Sequence, residues 1–178
     1  KQVIEVAGSI NNFTITPFIY KIKDIRENKE TGFINIKYKN NLPMVESAFP
    51  HPSNDTRREQ VSQELLINTF DPVNSILALG ILSANNNSCN RTINVFDGRR
   101  RFNLVYKTIE KNKDELICKL KIIRIAGYSK KELSKHPKEG MIKLKKLSNS
   151  IFYFPVEVRI PLTIGSFYVN LTQNLVLQ

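Results

Sequence analysis

The feature that most constrains this chain is the alternation of apolar and polar residues on either side of Asp97-Gly98. "TINVF" runs into that dipeptide and "RRFNLVYKTI" leads away from it. A period of two puts successive side chains on opposite faces of an extended strand. Asp-Gly supplies the positive φ that a tight hairpin turn needs. The alternation returns after "KNKDE" in "LICKLKIIRIAGY", after "SKKELSKHPKEG" in "MIKLKKL", and in "IFYFPVEVRIPL" and "SFYVNLTQNLVLQ" around a "TIG" turn. Strands joined in succession by short turns are antiparallel neighbours. The sequence thus predicts a mainly β fold, a curved antiparallel sheet or open barrel built as a meander of about seven to eight strands.

The first half reads less regularly. "FTITPFIYKIKDI" (13–25) and "FINIKYKN" (33–40) alternate around "RENKETG" and predict a hairpin, with Pro17 pushing its strand towards a sheet edge. Residues 1–12 are expected to be disordered or the remnant of an upstream strand. Residues 41–68 carry prolines and no steady period, which predicts a long surface loop. One helix stands out, from Asp71 to Ala84. Asp71 can cap it, Pro72 suits its first position, and the Asn run 85–87 ends it. Its almost wholly apolar composition predicts a short helix packed on the concave face of the sheet. At 178 residues, with no internal repeat, the chain 1–178 is expected to be one domain.

Composition matters mainly for charge. Lys and Arg number 27 against 16 Asp and Glu, a net +11. Such an excess favours polyanions or anionic lipid. It is also what an Asn-, Lys- and Ile-rich chain spreads over a solvated surface. The candidate basic surface comprises Arg99, Arg101, Lys119, Lys121, Lys143 and Lys145. No zinc-finger spacing, RNA-binding signature or helix-turn-helix pattern accompanies it, so no nucleic-acid partner is expected. No run of about 18 apolar residues occurs, so no transmembrane segment is expected. Arg99, Arg100 and Arg101 sit at the expected hairpin tip. They alternate sides there and cannot share one phosphate; either Arg99 or Arg101 can pair with Asp97.

Catalytic signatures are lacking. His51 and His136 both precede prolines, no spacing suggests a metal site, and no nucleophile elbow, phosphate loop or dinucleotide fingerprint occurs. Asp114 with Glu115, and Glu132 with Glu139, read as solvated charges. The Asn-x-Thr sites at Asn12 and Asn170 are ordinary in an Asn-rich chain. The expectation is no enzyme, no catalytic residue, no cofactor and no metal. Cys89 and Cys118 pair in an exported chain and stay free in cytosol. By register their strands lie two places apart, so a bond needs a curled sheet or Cys89 in the loop ahead of its strand.

"FDPVNSILALG" followed by "CNRTINVFDGRRRFNLVY" resembles the middle of a family of exported bacterial proteins, domain-of-unknown-function family 3108. "LICKLKIIRIAGYSKKE" and "FYFPVEVRIPLTIGSFYVNLTQ" are similar to its later segments, in the same order. Asn74 and Tyr128 depart from its pattern, the latter where a histidine often stands. The resemblance implies the Cys89–Cys118 disulfide and an exported chain, periplasmic or secreted, from which a targeting segment has been removed. It carries no catalytic residues over. Family members have further strands upstream; without them Phe13–Ile25 or its partner becomes an exposed edge, and edge pairing predicts a homodimer.

Two functional readings follow. One is a non-enzymatic module holding a lipid or other hydrophobic ligand in a groove of Ile76, Leu77, Leu79, Phe152, Phe154, Val156 and Phe167, with the basic rim meeting an anionic headgroup. The alternative is a secreted interaction protein or effector binding a host or envelope partner through its basic surface. A hydrolase with an unrecognised site is a third reading, one that convergent carboxylates or a Ser/His pair in a pocket would revive.

Overall fold

The computed structural model describes residues 1–135, 139–146 and 150–160, and the backbone alone of 161 and 166–170. Four antiparallel strands form the first sheet in the order β1 (Gln2–Asn11), β2 (Thr14–Arg26), β3 (Lys29–Lys39), β4 (Leu42–Phe49). Their three turns share one solution. Asn12-Phe13, Glu27-Asn28 and Asn40-Asn41 all have positive φ, between 46° and 61°. Two-residue turns of that hand match the twist of the flanking strands, and asparagine tolerates the conformation better than most residues. Part of the chain's asparagine content is therefore structural.

Several expectations are corrected here. Of the two alternatives for residues 1–12, disorder and a strand, the strand is found: residues 2–11 pair along their length with β2. Residues 42–49, expected within a loop, are strand β4. Pro17 lies in an inner strand. It is accommodated because the register shifts beside its partner Gly8, and a bulge is where a missing ladder donor costs least. The edges of this sheet are β1 and β4, so Phe13–Ile25 is not one.

Register builds the inner face. Val6, Tyr20, Ile36 and Val45 form one cross-strand row, and Ile4, Ile22, Ile34 and Ala48 the next. Tyr20, Ile34 and Ile36 are buried with Phe96, and Val61 and Leu66 pack against them. The outer face mixes ion pairs, Lys21 with Glu5 at 3.2 Å and Lys37 with Glu46, with the exposed apolar residues Val3, Met44 and Phe49.

After β4 come a 3-10 turn (Pro52–Asn54), a short helix α1 (Gln63–Leu66) and the main helix α2 (Pro72–Ser83). Asp71 caps α2 as expected: its carboxylate accepts the Val73 and Asn74 N–H groups at 3.1 and 2.9 Å and the Asn74 side-chain amide at 2.7 Å. Asn74, the departure from the family pattern, thus serves the cap.

The second sheet is a meander of β5 (Arg91–Phe96), β6 (Arg101–Lys111), β7 (Glu115–Ala126), β8 (Glu139–Lys146), β9 (Tyr153–Pro161) and β10 (Ser166–Asn170), in the order β10-β9-β8-β7-β6-β5. A third short helix, α3 (Lys130–Leu133), lies between β7 and β8. Mainly β, antiparallel and helix-poor, the architecture matches the sequence expectation in class. It is two open sheets of four and six strands, not one meander.

The chain also divides into two compact units where one domain was expected. The first comprises residues 1–75, 94–103 and 124–136; the second comprises 76–93, 104–123 and 137–178. In the second unit, Leu79 and Ile81 of α2 are buried, as are Leu104, Tyr106, Leu116, Cys118, Ile142 and Leu144 of the sheet. A Cβ on Gly80 would stand 2.0 Å from the Tyr153 carbonyl oxygen, so only glycine permits this approach of helix to strand. Cys89 lies ahead of β5, not in it, which solves the register problem. It is disulfide-bonded to Cys118 with Cα atoms 6.3 Å apart. The Cys89 N–H donates to the Thr108 hydroxyl at 3.0 Å and helps fix the loop.

Candidate functional site

The three consecutive arginines prove to have three different environments, all within the first unit. The Asp97 carboxylate accepts the backbone N–H groups of Arg99 (2.9 Å) and Arg100 (2.7 Å), which pins the turn; Gly98 has φ +92°. This is the local hydrogen bonding that suits aspartate to turns. Arg101, expected on the basic surface, is instead buried. Its guanidinium donates to the carbonyls of Leu65 (2.9 Å) and Phe102 (2.6 Å) and to Asn103 Oδ1 (2.6 Å). Those acceptors satisfy a cation that burial would otherwise make costly.

Arg100, not Arg99 or Arg101, pairs with Asp97, at 3.4 Å, and binds Glu132 Oε1 more closely at 2.8 Å. Its guanidinium lies 5.9 Å from the centroid of the Tyr128 ring, and Arg124 lies 5.8 Å from the same ring. Glu132 Oε2 accepts from Arg58 at 2.5 Å and from the Ser129 N–H at 2.9 Å, closing a capping box on α3. Arg58 also meets Asp55 at 2.8 Å. Partial desolvation opposes ionisation of Glu132, but the Ser129 bonds and the two arginines prevail and bring its pKa down to about 2. Burial, with Asp97 nearby, pushes the Tyr128 hydroxyl up to about 12.

Arg99 is half-buried. Its guanidinium donates to the Pro50 carbonyl, and no ion pair is recorded for it among the described residues. It lines two hollows. The larger, about 670 Å³, lies on the inner face of the first sheet, with Ile4, Tyr20, Ile22 and Ile34 as its floor. Its rim carries Arg26, Arg99 and Arg100 together with Asp24 and Asp97. Asp24 accepts the Gln2 amide at 2.8 Å. Burial, reinforced by Asp97, Asp71 and Asp24, pushes the Tyr20 hydroxyl far above its ordinary value, so it stays protonated. The smaller hollow, about 180 Å³, is lined by Val45, Val61, Leu66 and Phe96 beneath His51 and Arg58.

A Ser/His pair does border the smaller hollow, with His51 Nδ1 2.6 Å from Ser53 Oγ. The same nitrogen accepts the Ser53 N–H at 3.3 Å, so the imidazole caps the 3-10 turn. No third side chain is recorded as orienting the ring among the described residues. The geometry is that of a cap on the turn.

The expected apolar groove is not assembled as one wall. Leu79 is in the core, whereas Ile76 and Leu77 are half-buried. Tyr153 is buried, so its neighbours Phe152 and Phe154 stand on the other side of the chain, and Phe154 is opposite Lys145. Val156 falls at a register shift. The Phe167 side chain and His136 lie outside the described residues. Lys119, Lys121, Lys143 and Lys145 do share one face of β7 and β8, where Lys119 pairs with Glu139 (2.9 Å) and Lys143 with Glu115 (3.0 Å). Sequence reasoning missed Tyr20, Ile22 and Asp24. Their two-residue spacing in β2 signals a shared face, but nothing local shows that a hollow opens over it.

Two antiparallel sheets, the first with an arginine-rimmed hollow on its inner face, define a mainly β protein. The chain belongs to the family described as protein of unknown function (DUF3108), whose model matches residues 5–172. No curated protein and no solved structure matches it.

Proposed function

We propose that this protein is a non-enzymatic, exported binding module that takes an amphipathic anion in the hollow of the first sheet. The observation that carries the reading is Arg99. It is a guanidinium with no carboxylate partner among the described residues, at the edge of a hollow of about 670 Å³ floored by isoleucines. Ligand pockets commonly combine such an apolar floor with a few fixed polar groups. An acyl chain lies on Ile4, Ile22 and Ile34, and its head meets Arg99 and Arg26. The disulfide supports export, since such bonds persist in oxidising compartments. The site thus moves from the helix-side groove to the first sheet.

Binding of dodecanoate, followed by calorimetry, tests this against dodecanol and dodecyltrimethylammonium. Dodecanoate binds most tightly, and Arg99→Ala weakens it roughly tenfold to a hundredfold, the loss of one charge-assisted bond. Equal binding of all three amphiphiles, or none, defeats the reading.

The exposed edge β1, with Val3, Ile4 and Ile10 accessible, supports a homodimer paired through β1. Sedimentation that remains monomeric at high concentration rules it out.

A further inference from the structure

A second surface is independent of the hollow. In the second unit, Leu104, Tyr106, Leu116, Cys118, Ile142 and Leu144 are buried, so the alternate residues of β6, β7 and β8 point the other way. That outer face carries Lys107 and Lys111 on β6, Lys119 and Lys121 on β7, and Lys143 and Lys145 on β8. Arg159 joins it opposite Met141, as does Glu157 opposite Lys143. The carboxylates on the described part of the face are Glu115, Glu139 and Glu157, three against seven cations.

Between the lysines stand Ile109, Ile123 and Met141, exposed to 51%, 39% and 43%. This interleaving selects the partner. A soluble polyanion would satisfy the ammonium groups and leave the three apolar side chains in water. A lipid interface accommodates both, with ammonium groups at the phosphates and apolar side chains at the acyl boundary. The carboxylates spare some lysines from mutual repulsion; Lys107 and Lys121 have no recorded ion pair among the described residues.

We infer that the outer face of β6–β8 docks this protein on an anionic phospholipid surface. Binding of the full chain to phosphatidylcholine vesicles, with and without phosphatidylglycerol, is the measurement, made at low and high salt. Phosphatidylglycerol is required, and salt weakens the association. Lys107→Gln with Lys121→Gln lowers the partition coefficient by about fivefold per lysine. The charge-matched pair Lys29→Gln with Lys39→Gln, on the first sheet, changes it less than about twofold. Ile109→Ser with Met141→Ser reduces vesicle binding but leaves heparin binding unchanged. Failure to bind phosphatidylglycerol vesicles overturns the inference, as does equal loss in the two lysine pairs. Vesicle binding indifferent to the Ile109/Met141 change reassigns the face to a soluble polyanion and overturns it too.

Discussion

Arg58 reaches Glu132 across 74 positions of sequence, and the same carboxylate takes Arg100 on its other oxygen. One acidic side chain thereby ties the loop after β4, the β5–β6 turn and helix α3. Arg100, although it lines the hollow, is thereby paired with Glu132 and Asp97, whereas Arg99 beside it has no ion pair among the described residues. The tie is local chemistry with a positional consequence for the site.

Glu132→Gln should therefore cost about 2 kcal/mol near neutral pH, since bonds to a charged acceptor are lost. The folded-state pKa is depressed to about 2 from an ordinary value near 4.5. A depressed carboxylate contributes stability that is present above its unfolded pKa and lost as pH falls through the folded one. The difference between wild type and variant in urea unfolding should accordingly shrink between about pH 4.5 and 2. A constant difference across that window would contradict the ion-pair account.

The disulfide spans a sequence separation of 29. Loop-closure entropy for that length is about 3–4 kcal/mol, so Cys89→Ser with Cys118→Ser should lower unfolding stability by that order. Reductant should lower wild-type stability and leave the double variant unchanged. Equal sensitivity of both to reductant would mean that the bond is not formed.

Gly80→Ala tests the helix-to-strand approach. The obstacle is the backbone carbonyl of Tyr153, not a mobile side-chain end, so one of the two backbones must shift. Overpacking of this kind costs on the order of 3 kcal/mol, against the gain of under about 1 kcal/mol that alanine brings to a helix. A variant with a higher melting temperature would show that the contact is looser than described.

Much of the fold was legible because its causes are local. Alternation across 92–109 marked β5 and β6, and Asp71 with Pro72 marked the start of α2. The spacing around Cys89 left room for the bond that formed. The strands at 2–11 and 42–49 have weaker reasons of their own. Gly8 and Pro43 interrupt their pattern, and pairing with β2 and β3 supplies what propensity does not.

The site was legible only in part. Sequence separates Arg99 and Arg101 from Arg100 by the parity of a strand, and the Asp97 turn breaks that parity at the tip. Which arginine is buried, which is ion-paired and which rests on a carbonyl alone among the described residues depends on Leu65, Glu132 and Pro50, residues far away in the chain. Sequence by itself determined the β class, the capped apolar helix and the basic charge, since period, turn chemistry and composition act between near neighbours. Tertiary structure alone decided where a hollow opens and which cation faces it, because burial and ion pairing are set by groups that only folding brings within a few ångströms.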